Sequence, residues 1–169
     1  MVATMKEIFE RISVRKYEER PVEPEKITQV LRAAMAAPSA GNQQPWEFYV
    51  VTEKAKIKAL SECSPYSGCA ANAPAVIVPC YRTRGLRFPQ FDVIDLAIAT
   101  QNILLEITSL GLGGVWLAVA PLQDRMEKVE AILGIGPDLR AYALVPLGYP
   151  AEARPQQDRF DEGRIHYCA

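Results

Sequence analysis

A single histidine, His166, stands among the 169 residues, three places from the C-terminal Ala169. That scarcity excludes a multi-histidine metal site within one chain, and any Ser-His-Asp or Cys-His arrangement has only a tail residue to serve as its base. Four cysteines occur, at 63, 69, 80 and 168, and no pair has the two-residue gap of a zinc ribbon or a thioredoxin-like redox site. No metal is therefore expected. No stretch reaches the about 20 consecutive apolar residues of a membrane span. Lys6 and Glu7 fall inside a helical pattern at the start of the chain, which excludes a secretory signal there. A basic excess is also missing: 19 Lys and Arg against 20 Asp and Glu leave a net charge of −1, so a general nucleic-acid binder is excluded. Leu110-Gly111-Leu112-Gly113-Gly114 runs from a helix into a strand, the reverse of the order in a dinucleotide fingerprint, and Gly134-Ile135-Gly136 reads as a helix stop. Neither a Rossmann site nor a P-loop is present.

What remains is a chain that is 49% hydrophobic and 23% charged, enough for one domain with a full core. A core of that size needs no disulfides, so the cysteines read as reduced, mostly buried thiols of a cytoplasmic protein. The pattern mixes helices and strands. Thr4 followed by Glu7 forms a capping box, after which Met5, Ile8, Phe9 and Ile12 recur at helical spacing. A second helix begins at Pro24, carries Ile27, Val30, Leu31, Ala34 and Met35 on one face, and ends by Pro38. A strand follows over 47–52, then a helix over 54–61 and a buried strand over 75–81. The segment 91–110 is a long helix, apolar on nearly all sides and closed by Gly111 as its C′ residue. A small domain rarely encloses such a helix, so a subunit interface is the expected cover. Strands over 113–119 and 141–148, with a helix over 124–133 between them, precede a polar tail whose 164–168 stretch reads as strand-like.

Two stretches carry the chemistry. Arg11, Ser13 and Arg15 alternate where the first helix runs out, so an extended backbone projects two guanidinium groups and a hydroxyl to one side. Paired planar donors with a short hydroxyl suit a phosphate. On composition alone the same residues also read as solvated arginines and a serine cap. Pro38 to Trp46 sets Ser39, Asn42, Gln43 and Gln44 among small residues between a helix and a strand. Amides both donate and accept, so they suit a heterocycle edge such as the uracil-like face of a flavin; the other reading is a polar loop anchored by Trp46.

Taken in order, five motifs resemble the FMN-dependent nitroreductase family in a compact version: Arg11-Ile12-Ser13-Val14-Arg15, Pro38-Ser39 to Pro45-Trp46, Asn72-Ala73-Pro74, Gly111 to Trp116, and the tail ending in His166-Tyr167. The resemblance spans about Met5 to Tyr167. It implies an α+β, three-layer sandwich, with a central, mostly antiparallel sheet flanked by helices. It also implies an intertwined homodimer with FMN at each interface, and a single domain over 1–169 whose tail, 152–169, wraps the partner and extends its sheet. Carried onto this chain, Arg11, Ser13 and Arg159 hold the FMN phosphate, while Arg15 approaches the pyrimidine edge. Pro38, Ser39, Ala40 and Asn42 come from the other subunit, and the backbone of Leu117, Ala118 and Val119 faces the ring with an amide near N5. The chemistry implied is hydride transfer from NAD(P)H through flavin N5 to a nitroaromatic, quinone or enone in a ping-pong sequence, with no catalytic side chain and Arg15 as electrostatic stabiliser.

Three places depart from the family pattern: Ala40 replaces a hydroxyl, Gln157 stands where a Lys often precedes the tail arginine, and the 63–72 segment, which in relatives often offers Asn or Lys near the ring, reads Cys-Ser-Pro-Tyr-Ser-Gly-Cys-Ala-Ala-Asn. Other flavin reactions (dehalogenation, flavin cleavage), a flavin-storage protein and a helical interaction protein are the competing readings. Trp116 and Tyr149 read as packing residues, and the Lys54, Lys56 and Lys58 series as a solvated face. Tyr66 and Phe88 read as packing or as a substrate mouth, and Cys69 as a thiol without the setting that lowers a pKa.

Overall fold

The computed structural model describes residues 5–152 and 155–168. Its centre is a sheet built on β2 (Ala75–Arg82), a strand with no polar residue before Tyr81. Val76, Val78 and Cys80 face one side and Ala75 and Ile77 the other, and all five are fully buried. A strand covered on both faces has no use for polar alternation, which is why its sequence is a continuous apolar run. On one side of β2 runs β1 (Trp46–Val51), antiparallel, with Trp46 opposite Tyr81 and Val51 opposite Val76. On the other side run β5 (Leu139–Ala141) and β6 (Ala143–Gly148), with β3 (Gly113–Gly114) and β4 (Leu117–Ala118) beyond β6. Every pairing between these strands is antiparallel.

Two prolines shape the sheet. The expected strand over 113–119 is two short ones, because Val115 faces Pro146: Val115 donates to the Pro146 carbonyl at 3.4 Å, and the proline has no N–H to return. Pro79 has the matching effect on β2. Opposite it the neighbouring strand slips by one residue between Ala141 and Val145, a bulge at which the Tyr142 amide donates to the Pro79 carbonyl at 2.9 Å.

Helices cover both faces. α3 (Lys54–Ser61) and α5 (Gln123–Leu133) bury Ile57, Leu60, Met126 and Val129 against Val76, Val78 and Leu144. α2 (Pro24–Met35) and α4 (Asp92–Ser109) bury Val30, Ala34, Ile103 and Ile107 against Ile77, Val145 and Leu147. The three-layer α+β sandwich expected from the sequence is therefore present. α4 keeps its mid-helix hydroxyls satisfied within itself, Thr100 donating to the Leu96 carbonyl at 2.7 Å and Thr108 to Leu104 at 2.9 Å. No helix among the described residues is long and apolar enough to cross a membrane.

The ends of the chain depart from expectation. α1 (Lys6–Glu10) is a short helix with Met5 at its N-cap and no side-chain cap; Thr4 lies outside the described residues. Its Met5, Ile8 and Phe9 are 64%, 48% and 62% exposed, and of the apolar face read from the sequence Ile12 packs against Val14, Tyr17 and Ala73. Residues 164–168 form no strand: a 3-10 turn spans Glu162–Arg164 and the rest is irregular and exposed, pairing with no edge of the sheet among the described residues.

Tyr149 packs against the core cluster of Ile77 and Leu147, as read from the sequence, and also pins the start of α2. Its hydroxyl donates to the Glu23 carboxylate (2.7 and 2.9 Å), it accepts from Lys26 at 2.9 Å, and Arg20 stacks on its ring at 3.8 Å. The Tyr149 hydroxyl, then Glu23's own backbone and the flanking cations, hold the Glu23 carboxyl at about 2, below its ordinary 4.5. A depressed carboxyl stabilises the fold fully above its unfolded value and loses that contribution as the pH falls through its folded one. The melting-temperature gap between wild type and Glu23→Gln should thus be steady above pH 4.5 and narrow toward pH 2. A gap that stays constant on acidification contradicts this role.

Candidate functional site

The Arg11–Arg15 segment is fastened before it presents anything. Val14 donates to the Gly114 carbonyl at 3.0 Å, and Ser13 bridges Gly114 in parallel, so the segment lies along β3 at the sheet edge. Val14 and Tyr17 are buried, and the Tyr17 hydroxyl donates to the Val14 and Pro146 carbonyls at 2.8 and 3.1 Å. Burial pushes that hydroxyl's pKa far up, so it remains a donor at any working pH. With Val14 turned inward, Ser13 is left half-buried and Arg15 exposed, the alternation the sequence implied. Gly113 makes this approach possible: a Cβ there would meet the Val14 Cβ at 2.7 Å.

The tail arrives at the same place. The Gln156 side-chain amide donates to the Arg11 carbonyl at 2.7 Å. Arg159 follows three residues later, within about 10 Å of extended chain. The Arg11–Arg15 segment and the tail at Gln156 thus meet beside β3. Two guanidinium groups and a hydroxyl on one fastened segment are a donor set that suits a dianion such as a phosphate monoester.

The 63–72 segment, which the sequence did not place, borders this receptor. The buried Ser67 hydroxyl organises it, donating to the Ser61 and Ser64 carbonyls at 2.9 and 2.8 Å and accepting from the Ser64 amide at 3.0 Å. Cys69 beyond it is near enough for the Arg15 charge to favour its thiolate, although burial outweighs this and pushes the thiol up. The exposed Tyr66 has Arg125 over its ring at 5.7 Å, and Arg125 donates to the Ala118 carbonyl at 3.2 Å. Arg125 was not singled out from sequence; on an amphipathic helix it reads as one more solvated cation. Through it the segment reaches β4, where Val119 and Ala120 donate to the Tyr142 carbonyl at 3.3 and 2.9 Å.

The Pro38–Gln44 loop stands apart. Pro38, Ser39 and Ala40 line a 270 Å³ depression with Phe91, Ile94 and Ile98 of the α4 end, while Arg15 lines a separate 1040 Å³ groove. Within one chain the loop and Arg15 thus line different cavities. The amides of the loop are also less available than the sequence suggested. Gln43 exchanges hydrogen bonds with the Phe88 backbone (3.0 and 2.9 Å) and donates to Asp95 at 2.7 Å, and Gln44 donates to the Asn42 side chain at 2.9 Å. Phe88 is thereby half-buried against Gly41 rather than open to solvent.

An N-terminal arginine pair laid along a mostly antiparallel sheet between two helical layers defines a class of α+β protein, and comparison identifies it. The sequence model of the Nitroreductase family matches residues 8–64 and 61–149. The chain belongs to that family. A Methanothermobacter thermautotrophicus protein provisionally named an NADH dehydrogenase/NAD(P)H nitroreductase is 42% identical, covering 92% of this chain and 82% of its own. A Parabacteroides distasonis crystal structure under the same provisional name superposes with a TM-score of 0.93 at 36% identity, over 98% and 97% of the two chains. An FMN-dependent nitroreductase from Clostridium difficile superposes with a TM-score of 0.90 at 27% identity, over 97% and 98%.

Proposed function

We propose that the protein is an NAD(P)H-dependent flavin oxidoreductase that holds FMN between two copies of its chain. The observation that carries the reading is the convergence of Arg11, Ser13, Arg15 and the tail on the locked edge of β3. The residues fit the cofactor by their chemistry: cations and a hydroxyl for a phosphate, and a short strand whose backbone can face a planar ring. Arg11, Ser13 and Arg159 bind the phosphate. Arg15, exposed at the end of the segment, sets a positive charge at the pyrimidine edge, where negative charge grows on reduction. The backbone of Leu117, Ala118 and Val119 faces the ring, with the exposed Ala118 as its accessible member since Val119 already donates to Tyr142, and Arg125 fixes that strand by holding the Ala118 carbonyl. When bound, FMN supplies hydride carriage at N5, from NAD(P)H to a nitroaromatic, quinone or enone acceptor in two half-reactions. No side chain of this site is needed as a nucleophile or general base.

The second copy follows from two features. Pro38, Ser39, Ala40 and Asn42 reach a flavin only from a partner, as the loop and Arg15 line different cavities. Met5, Ile8 and Phe9 at α1 and Phe91 and Ile94 at the start of α4 are at the surface, more than half exposed in three of the five, and apolar area of this kind is removed from water by a subunit contact. Residues 152–169 serve as the tail that embraces the partner. The four cysteines are free thiols, which accords with the reducing cytoplasm.

Anaerobic titration of the FMN-loaded protein with NADH and with NADPH tests the reading. The flavin absorbance should bleach with at least one of them and return on adding a nitroaromatic, quinone or enone. Flavin that stays oxidised with both nicotinamides makes this a storage protein instead.

A further inference from the structure

Asp95 is a buried carboxylate, 2% exposed, in the first turn of α4. Its Oδ1 accepts from the Ala40 backbone N–H at 2.9 Å and its Oδ2 from the Gln43 side-chain amide at 2.7 Å. With a donor at each oxygen, a carboxylate's two acceptors satisfy both; an asparagine there faces one N–H with its own. No cation pairs with it among the described residues, and its charge rests on these two bonds and the positive end of α4. An apolar residue commonly serves stability at such a site as well or better. What the carboxylate provides is the shape of the loop.

That shape needs holding. Gly41, Asn42 and Gln44 all have positive φ, at 55°, 53° and 47°, a region disfavoured for residues other than glycine. Gly41 is confined further, since a Cβ there would lie 2.5 Å from the Phe88 ring. Arg82 holds the far end, donating to the Gln43 and Gln44 carbonyls at 3.2 and 2.8 Å. We propose that Asp95 is a positioning residue for flavin binding: through the Ala40 amide and the Gln43 side chain it holds the Pro38–Gln44 loop in the conformation that presents Pro38, Ser39, Ala40 and Asn42 to the cofactor of the neighbouring subunit. The inference rests on the flavin reading above and adds to it a residue that touches no cofactor.

The test compares FMN dissociation constants and, on FMN-free protein, hydrogen exchange across residues 38–44. Asp95→Asn should weaken FMN binding about 10- to 100-fold, the usual effect of losing a bond to a charged acceptor, and should speed exchange in the loop. Gln43→Glu places a second carboxylate against Asp95, with Asp92 one turn away and Arg82 at the loop end as the other charged groups. A carboxylate pair takes up a proton that neither group holds alone, so this variant should bind FMN weakly at neutral pH and regain affinity on acidification. Combining Asp95→Asn with Gln43→Glu transfers the charge across the same contact and should recover affinity lost by either change. A purely structural Asp95 gives neither the pH-reversible loss nor the recovery. Tight FMN binding by Asp95→Asn with unchanged loop exchange overturns the inference and leaves the flavin reading intact. Wild-type protein that binds no FMN overturns both. Should Asp95→Asn not fold, the pH response of Gln43→Glu decides alone: a pH-independent affinity overturns the proposal.

Discussion

In Arg11→Ala the dissociation constant for FMN is expected to rise about 10- to 100-fold, while affinity for riboflavin stays near that of wild type. Riboflavin differs from FMN by its missing phosphate, so the comparison isolates the phosphate contact from everything that holds the ring. The Arg11 backbone is fixed by Gln156, and Val14 locks the segment to Gly114, so removing the side chain deletes a donor without releasing the turn. Added salt should weaken FMN binding in the wild type more than in the variant, because one screened cation has gone. Arg15→Ala should behave differently. A cation facing the ring affects FMN and riboflavin alike, and its removal should slow reduction by nicotinamide more than it weakens binding. If Arg11→Ala lowers affinity for both flavins equally, the phosphate is held elsewhere.

The second large effect is expected from adding one methyl group. Gly113→Ala brings a Cβ within 2.7 Å of the Val14 Cβ, an atom fixed by the backbone that no rotamer change can move aside. The N-terminal segment must therefore lift from β3. Overpacking of this kind costs about 1–3 kcal/mol, which for a chain of this length lowers the melting temperature by about 2–12 °C. The larger consequence is functional: Val14 lies between Ser13 and Arg15, so lifting it disperses the receptor and FMN affinity should fall with stability. Gly68→Ala is the control, because a Cβ there meets nothing within 4 Å. It should leave both quantities unchanged. A Gly113→Ala protein as stable and as avid for FMN as the wild type contradicts the packing described for β3.

The helices were largely legible because their signals are local. Pro24 marks the start of α2, the 54–61 periodicity coincides with α3 at Lys54–Ser61, and Gly111 follows the end of α4 with a φ of 71°. The arginine pair was legible for a similar reason: alternation in an extended segment is written in consecutive residues. The clamp on the loop was not. Gln43 and Asp95 lie far apart in the chain, and an amide next to two others reads as a ligand contact until its partners are known. Prolines 79 and 146 were visible, yet their effect on the sheet depends on which residue stands opposite, and only the register of β6 supplies that. Tyr149 shows the same limit: its packing was legible, and the carboxylate and cation at its hydroxyl were not. The apolar spacing of α1 was legible too, although Met5, Ile8 and Phe9 are exposed.

The central claim is that two chains together hold the flavin, with the phosphate at Arg11 and Ser13. Titrating the purified protein with FMN, while light scattering reports its mass, tests this most directly. The account predicts saturable, quenched flavin fluorescence at one FMN per chain on a particle of twice the 18.7 kDa chain mass. A protein that remains colourless with FMN in excess, or that binds it fully as a monomer, contradicts the account.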